Sequence, residues 1–306
     1  MGITFNAIFM SKKTFSTFMQ GVIDSLHQSG KYRISETYAT TLRSFQRFCQ
    51  GKDITLSQID AHLMMAYESY LLSIGLAPNT CSFYLRCMRA VYNRAVDRRL
   101  VTQCHPFKSV YTGVARTAKR AVPLDAVRCL KELDLSDTPY LDFARNMFLF
   151  SFYMRGMSFV DMAYLRKKNL NGGVLSYRRR KTGQMLYIGW ERCMQQLVDK
   201  YDTGTSPYLL PIITRPGVEE RKQYLYVSHN VNRSLKILGE RLGLSIPLTL
   251  YVARHTWASV AYSKHIPLSV ISEGMGHDSE TTTRIYLASL DNVEVDKANR
   301  IVLDSL

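Results

Sequence analysis

The sequence predicts a mainly α-helical protein of two domains, the second of which also contains a short β-hairpin. The chain has 306 residues, which exceeds the usual size of one domain. Apolar residues return every three or four positions over long stretches, for example Tyr38, Leu42 and Phe45, and this spacing indicates helices. Between residues 174 and 188 the spacing changes to two short strand-like segments on either side of KTGQ, which predicts a hairpin.

The first domain is predicted to span residues 14–107 and to be small and entirely helical. Ser57 and Pro78 each stand just before an apolar-periodic segment, so both are expected near helix starts. Residues 1–13 are assigned to an N-terminal extension. Met10 is a second candidate for the start of translation.

The last helix of this domain is rich in arginine, in the segment PNTCSFYLRCMRAVYNRAVDRRL. Its candidate nucleic-acid contacts are Arg86, Arg89 and Arg94, since a basic helix face can lie along phosphates and give affinity without sequence information. The alternative is an ordinary solvated helix face. For this helix taken alone, the two interpretations carry equal weight.

Residues 108–122 lose helical periodicity and are predicted to form a basic linker between the domains. The segment contains Gly113 together with Arg116, Lys119 and Arg120. A flexible basic connector suits a chain that passes along a duplex and lets two domains clamp it. These three cations are therefore further candidate DNA contacts.

The second domain is predicted to span residues 123–306. PLDAVRCLKEL and YLDFARNMFLFSFYMRG indicate helices, the second so apolar that it must be buried. Gly183 offers the positive φ that a tight hairpin needs, and the basic cluster Arg178, Arg179, Arg180 and Lys181 precedes it, which suggests phosphate contacts. Residues 292–306 have the spacing of an amphipathic helix.

The charge balance favours a polyanionic partner. A net charge of +15 arises from 40 Lys and Arg against 25 Asp and Glu, which suits nucleic acid or an anionic membrane surface. No apolar segment approaches the roughly 20 residues of a spanning helix, and the N-terminus lacks the features of a signal peptide. Six cysteines without a CxxC pair argue against a zinc site and for reduced thiols, so a cytoplasmic protein associated with the nucleoid is expected.

Three segments near the C-terminus combine one tyrosine with cationic and imidazole groups: YVARHTWAS, GMGHD and TTTRIYLAS. Such a tyrosine can attack a phosphodiester and retain the broken strand, because nearby cations favour the phenolate and stabilise the charge on phosphorus. No carboxylate cluster for two Mg²⁺ ions and no ATP motif accompany these residues, so no metal and no cofactor is expected.

The second domain resembles the catalytic domain of tyrosine recombinases, the phage integrase family, from about Pro123 to the C-terminus. The most specific feature is Gly276-His277 followed nine residues later by Tyr286, with Arg254 ahead of them in ARHT. The first domain is similar to the SAM-like core-binding domain of that family. The resemblance implies a site-specific recombinase that acts through a 3′-phosphotyrosyl intermediate.

The resemblance also implies a role for each matching residue. Tyr286 would be the nucleophile, and Arg155 and Arg254 would hold the scissile phosphate. Lys181 would be the general acid that protonates the leaving 5′ oxygen, although its arginine neighbours make the assignment within that cluster open. His277 would hydrogen-bond a non-bridging oxygen or assist proton movement near neutral pH. Asp161 and His255 would support these groups, Asp161 by orienting an arginine or a histidine.

One position departs from the family pattern. The family usually has a histidine three residues before the second arginine, whereas this chain has Tyr251. A phenol can donate a hydrogen bond to phosphate but cannot act as an imidazolium. Similar sequences with tyrosine here also share RGMSFVDMAYL, which points to recombinases of mobile and invertible DNA in the Bacteroides group.

The implied partners are double-stranded DNA with inverted-repeat sites and three further copies of the chain in a tetramer, with accessory DNA-bending proteins as optional additions. The C-terminal segment 292–306 would enter a neighbouring protomer; packing on its own domain is the alternative. DNA inversion and integration of a mobile element both remain open as outcomes. The competing functions are a catalytically silent DNA-binding regulator on the same fold and a type IB topoisomerase, which the helical first domain and short length disfavour.

Overall fold

The computed structural model describes residues 14–115 and 120–287, together with 300 and 303–304, and residues 285–287 by their backbone alone. The chain divides into two compact units, Met1–Thr117 and Ala118–Leu306. The boundary falls inside the segment 108–122 that the sequence predicts as a linker. The predictions for residues 1–13, Arg116, Lys119 and most of 292–306 fall outside the described residues.

Four α-helices form the framework of the described part of the first unit, as the sequence predicts. Its core contains the side chains of Phe15, Phe45, Tyr67 and Tyr92, all essentially buried, and a cluster of edge-to-face ring contacts joins Phe45 to Phe15 and Tyr67. The helices are α1 (Phe15–Gln28), α2 (Tyr32–Phe48), α3 (Ala61–Ser73) and α4 (Pro78–Asp97).

One of the two predicted helix starts in this unit is correct. Pro78 is the first residue of α4, where its missing N–H and fixed φ are tolerated. Ser57 instead lies inside the short 3₁₀ turn Leu56–Gln58. The cap of α3 is Asp60, whose carboxylate accepts the backbone N–H of Leu63 at 2.8 Å, because a carboxylate satisfies an unpaired N–H of the first turn.

The first half of the predicted linker is held by the first unit. The Asn79 side-chain amide donates to the carbonyl of Ala115 and accepts the N–H of the same residue, and the Ser82 hydroxyl donates to the carbonyl of Gly113. Val110 is buried in the core of the unit. Residues 108–115 therefore follow a defined path on the first unit despite their lack of periodicity.

The second unit surrounds the apolar helix that the sequence predicts to be buried. Met147, Phe148 and Phe150 of this helix have no exposed surface, and the helix packs against three later helices. The helices of the unit are α5 (Leu124–Glu132), α6 (Pro139–Tyr153), α7 (Phe159–Ala163), α8 (Arg192–Val198), α9 (Glu220–Arg241), α10 (Leu250–Ser263), α11 (Leu268–Gly274) and α12 (Glu280–Leu287).

A small antiparallel sheet interrupts the helices of the second unit. Within the described residues its strands are β1 (Leu170–Asn171), β2 (Val174–Arg178) and β3 (Met185–Gly189), in that spatial order. The hairpin predicted around KTGQ is β2 and β3, paired from Val174 opposite Gly189 to Arg178 opposite Met185. Gly183 adopts the expected positive φ, at 76°. The two-residue strand β1 is too short to leave a sequence pattern.

Candidate active site

Arg254, on α10, lies at the centre of the candidate site. Only 6% of this residue is exposed. Its Nη1 donates to the carbonyl of Gly156 at 2.8 Å, and its Nη2 donates to the carbonyl of Met275 at 2.7 Å and approaches His277 Nε2 at 2.9 Å. A buried guanidinium needs such partners because burying a charge without them is costly. These bonds fix the plane of the guanidinium before any ligand binds.

The turn after α6 brings Arg155 and Gly156 to Arg254. The chain reverses through two consecutive residues of positive φ, Arg155 at 57° and Gly156 at 73°, and the Gly156 N–H caps α6 by donating to the Ser151 carbonyl. A Cβ on Gly156 would lie 2.6 Å from the Cα of Arg254. Glycine is therefore required at 156 for the two segments to touch.

We expect Gly156→Ala to lower the free energy of unfolding by at least about 2 kcal/mol, because the methyl group would meet backbone atoms in a strained backbone conformation. The matched control is Gly172→Ala. Gly172 also has a positive φ, of 58°, but nothing lies within 4 Å of its would-be Cβ. That control should cost only about 1 kcal/mol of backbone strain. Equal losses in urea unfolding would contradict the close contact at Gly156.

Four charged side chains of the candidate site lie close enough to Tyr177, on β2, to affect the pKa of its phenol. Burial raises the pKa of the Tyr177 phenol, and the nearby carboxylate of Asp161 raises that pKa further. The positive charges of Arg254, Arg179 and Arg155 oppose this rise in the pKa. The two arginines predicted to hold phosphate therefore act on one point of the structure, although 99 positions separate them in the sequence.

His277 is bonded through both ring nitrogens. Nε2 faces Arg254, and Nδ1 lies 2.7 Å from the hydroxyl of Thr283, a fully buried residue on α12. An arginine can only donate, so Nε2 of the neutral ring is the acceptor in this contact. The ring proton is therefore assigned to Nδ1, which donates to the Thr283 oxygen.

Both histidines of the site are neutral at pH 7. Burial lowers the pKa of His277 to about 4, helped by the charges of the neighbouring arginines and Lys181. Burial likewise lowers the pKa of His255 to about 4, with Arg120 and Arg254 as the charged neighbours. From the sequence, His277 is expected to exchange protons near neutrality from its ordinary pKa. In this structure the ring is a neutral acceptor instead.

We expect the free energy of unfolding to fall as pH is lowered from about 7 to 5. His255 and His277 have pKa values near 6.5 when unfolded and about 4 when folded, so the unfolded state binds more protons in this window, approaching two more near pH 5, and is favoured by acid. Urea unfolding at several pH values measures the slope. The double variant His255→Gln, His277→Gln should lose this part of the slope, and an unchanged slope would contradict neutral buried histidines.

Asp161, at the start of α7, supports the hairpin that carries Lys181. Its carboxylate accepts the backbone N–H of Arg180 at 2.9 Å and the hydroxyl of Ser158 at 2.6 Å, and only 4% of the residue is exposed. The sequence argument expects Asp161 to orient an arginine or histidine side chain. The described contacts show a different support, since the carboxylate holds the main chain one residue before Lys181.

The three arginines before Lys181 differ in their surroundings. Arg178 and Arg180 are exposed, and the Arg180 guanidinium lies 3.9 Å from the ring centre of Tyr164. Arg179 is 6% exposed, and its Nη1 donates to the carbonyl of Gly276. Arg179 thus joins the hairpin to the Gly276-His277 segment, and its phosphate contact stays a prediction.

These elements enclose a cleft of about 720 Å³ in the second unit. Five residues that the sequence nominates line it: Arg179, Lys181, Tyr251, Arg254 and His277. Tyr251 is 48% exposed, and its ring meets that of His255 edge to face at 4.5 Å between centroids. The phenol thus stands at the rim of the cleft, where a ligand in the cleft can reach it.

Tyr286 is placed by its backbone alone. It belongs to α12, the helix that also carries Thr283 beneath His277. Its side chain lies outside the described part of the structure. The helix on which the predicted nucleophile stands is therefore joined directly to the arginine–histidine pair.

The remaining candidate DNA contacts occupy several positions. On α4, Arg89 and Arg94 are exposed and Arg86 is partly buried, while the apolar side chains of that helix face the core. Arg89 also donates to the Thr112 hydroxyl at 2.9 Å. Arg120 is exposed in the second unit.

Two findings concern metals and membranes. In residues 14–115 and 120–287, no group of three or more His, Cys, Asp or Glu side chains is arranged to hold a metal ion. Within the same ranges, no helix combines the length and the apolar character needed to cross a membrane.

Two supporting residues, Gly156 and Thr283, were not nominated from the sequence, and Arg179 was nominated for a phosphate contact but not for its bond to Gly276. Gly156 had a usable signal, since a glycine directly after a nominated arginine at a helix end indicates a positive φ. Thr283 had none, because three consecutive threonines in TTTRIY give no reason to prefer one.

The chain matches two family descriptions. Residues 14–110 match the phage integrase SAM-like domain, and residues 191–292 match the phage integrase family. Together the matches span about two thirds of the chain. A curated relative, the tyrosine recombinase XerC of Lactobacillus delbrueckii subsp. bulgaricus, is 24% identical over 230 residues, which cover 72% of this chain and 76% of the relative.

Solved structures of similar fold include a lambda integrase dimer bound to a COC′ core site, with a TM-score of 0.70 and 15% identity over 95% of this chain and 82% of that one. A lambda integrase tetramer bound to a Holliday junction has a TM-score of 0.67 and 15% identity over 93% and 81%. XerH bound to difH in a post-cleavage complex has a TM-score of 0.64 and 15% identity over 87% and 79%. The solved structures share the fold of this chain, and the two family matches, which together span about two thirds of it, place the chain in the phage integrase family of tyrosine recombinases.

Proposed function

We propose that this protein is a site-specific DNA recombinase that cleaves a strand with Tyr286 and holds the end as a 3′-phosphotyrosyl ester. The observation that carries the proposal is the convergence of Arg254, His277 and Lys181 on one cleft beside the helix that bears Tyr286. The expected occupant is a phosphodiester, because a concave site lined with fixed cations favours an anion.

Arg254 and Arg155 are proposed to stabilise the pentacoordinate phosphate. The bonds of Arg254 to two carbonyls and to His277 hold its guanidinium in place. Donors fixed in a water-poor site stabilise developing charge without having to reorganise, and this is a large source of catalysis. Arg155 adds a second positive charge from the strained turn after α6.

Lys181 is proposed to deliver a proton to the leaving 5′ oxygen. As the Tyr286 oxygen bonds to phosphorus, the bond from phosphorus to the 5′ oxygen breaks, and the phenol proton passes to solvent. The hairpin that carries Lys181 is anchored on both sides, by Arg179 to Gly276 and by the Arg180 N–H to Asp161. Since the phosphoester energy is conserved in the new ester, the reaction is proposed to need neither a metal ion nor ATP.

The free 5′ hydroxyl then attacks the phosphotyrosine of a partner strand. We propose that four protomers act on two duplexes with inverted-repeat sites, and that the outcome is DNA inversion or the integration of a mobile element. The lambda integrase tetramer on a Holliday junction supports this arrangement for the shared fold. Exposed Arg89 and Arg94 on α4 are proposed to contact backbone phosphates, so binding should weaken steeply with salt.

The test uses labelled duplexes carrying the inverted repeats that flank the gene, nicked next to the cleavage position so that the released fragment diffuses away. The expected result is a covalent complex on a denaturing gel, formed with EDTA present and without ATP. A gel shift under native conditions without any covalent complex would overturn the proposal. It would favour the silent DNA-binding regulator instead.

A further inference from the structure

The hydroxyl of Thr283 holds the His277 ring on the side opposite Arg254. Thr283 is fully buried on α12, and its Oγ1 lies 2.7 Å from Nδ1, while Nε2 faces Arg254 at 2.9 Å. We propose that Thr283 is a positioning residue that lets His277 change from an acceptor for Arg254 into a donor toward a phosphodiester oxygen. This inference rests on the proposed function, since it names how that site adapts to its substrate.

The protons of the His277 ring follow from its partners. In this structure Nε2 accepts from Arg254, so the ring proton is on Nδ1 and the Thr283 oxygen accepts a hydrogen bond from it. An ionised phosphodiester oxygen can only accept, so a ring that contacts it through Nε2 must carry the proton there. Nδ1 must then accept a hydrogen bond. The Thr283 hydroxyl can accept a hydrogen bond from Nδ1–H in the first tautomer and donate one to Nδ1 in the second, because it rotates to present either a lone pair or its proton.

The surrounding charges favour a change of tautomer over a gain of charge. Three cationic groups face His277: Arg254 from α10, and Arg179 and Lys181 from the hairpin. Adding a proton would place a fourth positive charge among them. A tautomer change avoids this, because the ring gives up one proton at Nδ1 and gains one at Nε2, both exchanged with water, and its charge stays zero.

Thr283 also links the change of the His277 tautomer to the proposed nucleophile, Tyr286. Thr283 and Tyr286 stand three positions apart on α12, less than one helical turn. The helix that brings Tyr286 to the site therefore also brings the hydroxyl partner of His277. The ring is prepared to donate to phosphate only while α12 is seated, which ties the phosphate contact to the presence of the nucleophile.

The direct test is ¹⁵N NMR of the protein labelled at histidine, since the shifts of the two ring nitrogens distinguish the tautomers. His277→Gln identifies the signals of His277. We expect the proton on Nδ1 in the free protein, and on Nε2 when the Tyr286→Phe protein binds the duplex described above. A ring that keeps its proton on Nδ1 when DNA is bound, or that becomes fully protonated, would overturn the proposal.

Two variants of Thr283 provide a second test of the proposal, by strand cleavage. Thr283→Ser keeps a hydroxyl and should cleave within about threefold of the parent, whereas the isosteric Thr283→Val should lose roughly 10²-fold, the usual cost of removing one donor to the transition state. Equal cleavage by the two variants would overturn the proposal, and melting temperatures check that both fold. If the parent protein forms no covalent complex, the proposed function fails. The tautomer of the free protein and its response to Thr283→Val still test the role of Thr283.

Discussion

Tyr286→Phe is expected to abolish the covalent protein–DNA complex, a loss of at least about 10³-fold that reaches the background of a denaturing gel. The substitution removes one oxygen, the atom that bonds to phosphorus in the proposed reaction. Since phenylalanine keeps the ring and adds no charge, α12 should keep its place beneath His277.

DNA binding is expected to survive this substitution. Phosphate contacts supply most of the affinity of a basic protein for a duplex, and Tyr286→Phe changes none of the cations. A native gel shift measures binding on the same substrate. The matched control is Tyr140→Phe, because Tyr140 is an exposed tyrosine on α6 that does not line the cleft. A covalent complex of parental yield with Tyr286→Phe would show that another residue is the nucleophile.

Arg254→Lys is expected to lower the cleavage rate by about 10²-fold to 10³-fold. Lysine keeps the charge but loses the planar fork, so it cannot bond Gly156, Met275 and His277 together while it faces phosphate. The strand-cleavage rate under single-turnover conditions measures the effect.

The control for this change is Arg241→Lys, at the exposed end of α9. It makes the same chemical exchange far from the cleft and should leave cleavage unchanged. Because Arg254 is buried, its replacement will also lower stability, so the two variants are compared at a temperature where both are folded by circular dichroism. Cleavage by Arg254→Lys within threefold of the parent would contradict the role of the fork.

Much of the fold follows from the sequence because its signals are local. Helical periodicity, the start of α4 at Pro78 and the positive φ of Gly183 each depend on a few neighbouring residues. The path of residues 108–115 does not, because side chains of α4 hold it from more than thirty positions away. The expectation of a helix start at Ser57 was wrong for a different, local reason, since the competing cap Asp60 stands only three residues later.

The sequence predicts which residues form the site more readily than it predicts the hydrogen bonds between them. The nominated Arg254, His277 and Lys181 do line one cleft. The spacing of residues cannot show that Arg179 is buried on Gly276, or that Asp161 holds a backbone N–H. These contacts depend on how the hairpin packs against distant segments. The tautomer of His277 is also beyond reach of the sequence, because the partners of its two ring nitrogens, Arg254 and Thr283, come from different helices.

The central claim is that Tyr286 joins DNA through a 3′ phosphate, and identifying the attachment tests it most directly. The covalent complex of the unaltered protein would be digested with trypsin and nuclease, and the modified peptide sequenced by mass spectrometry. The account predicts a nucleotide on Tyr286, linked through its 3′ phosphate, and a released strand that ends in a 5′ hydroxyl. A nucleotide on any other residue, or a linkage through a 5′ phosphate, would contradict it.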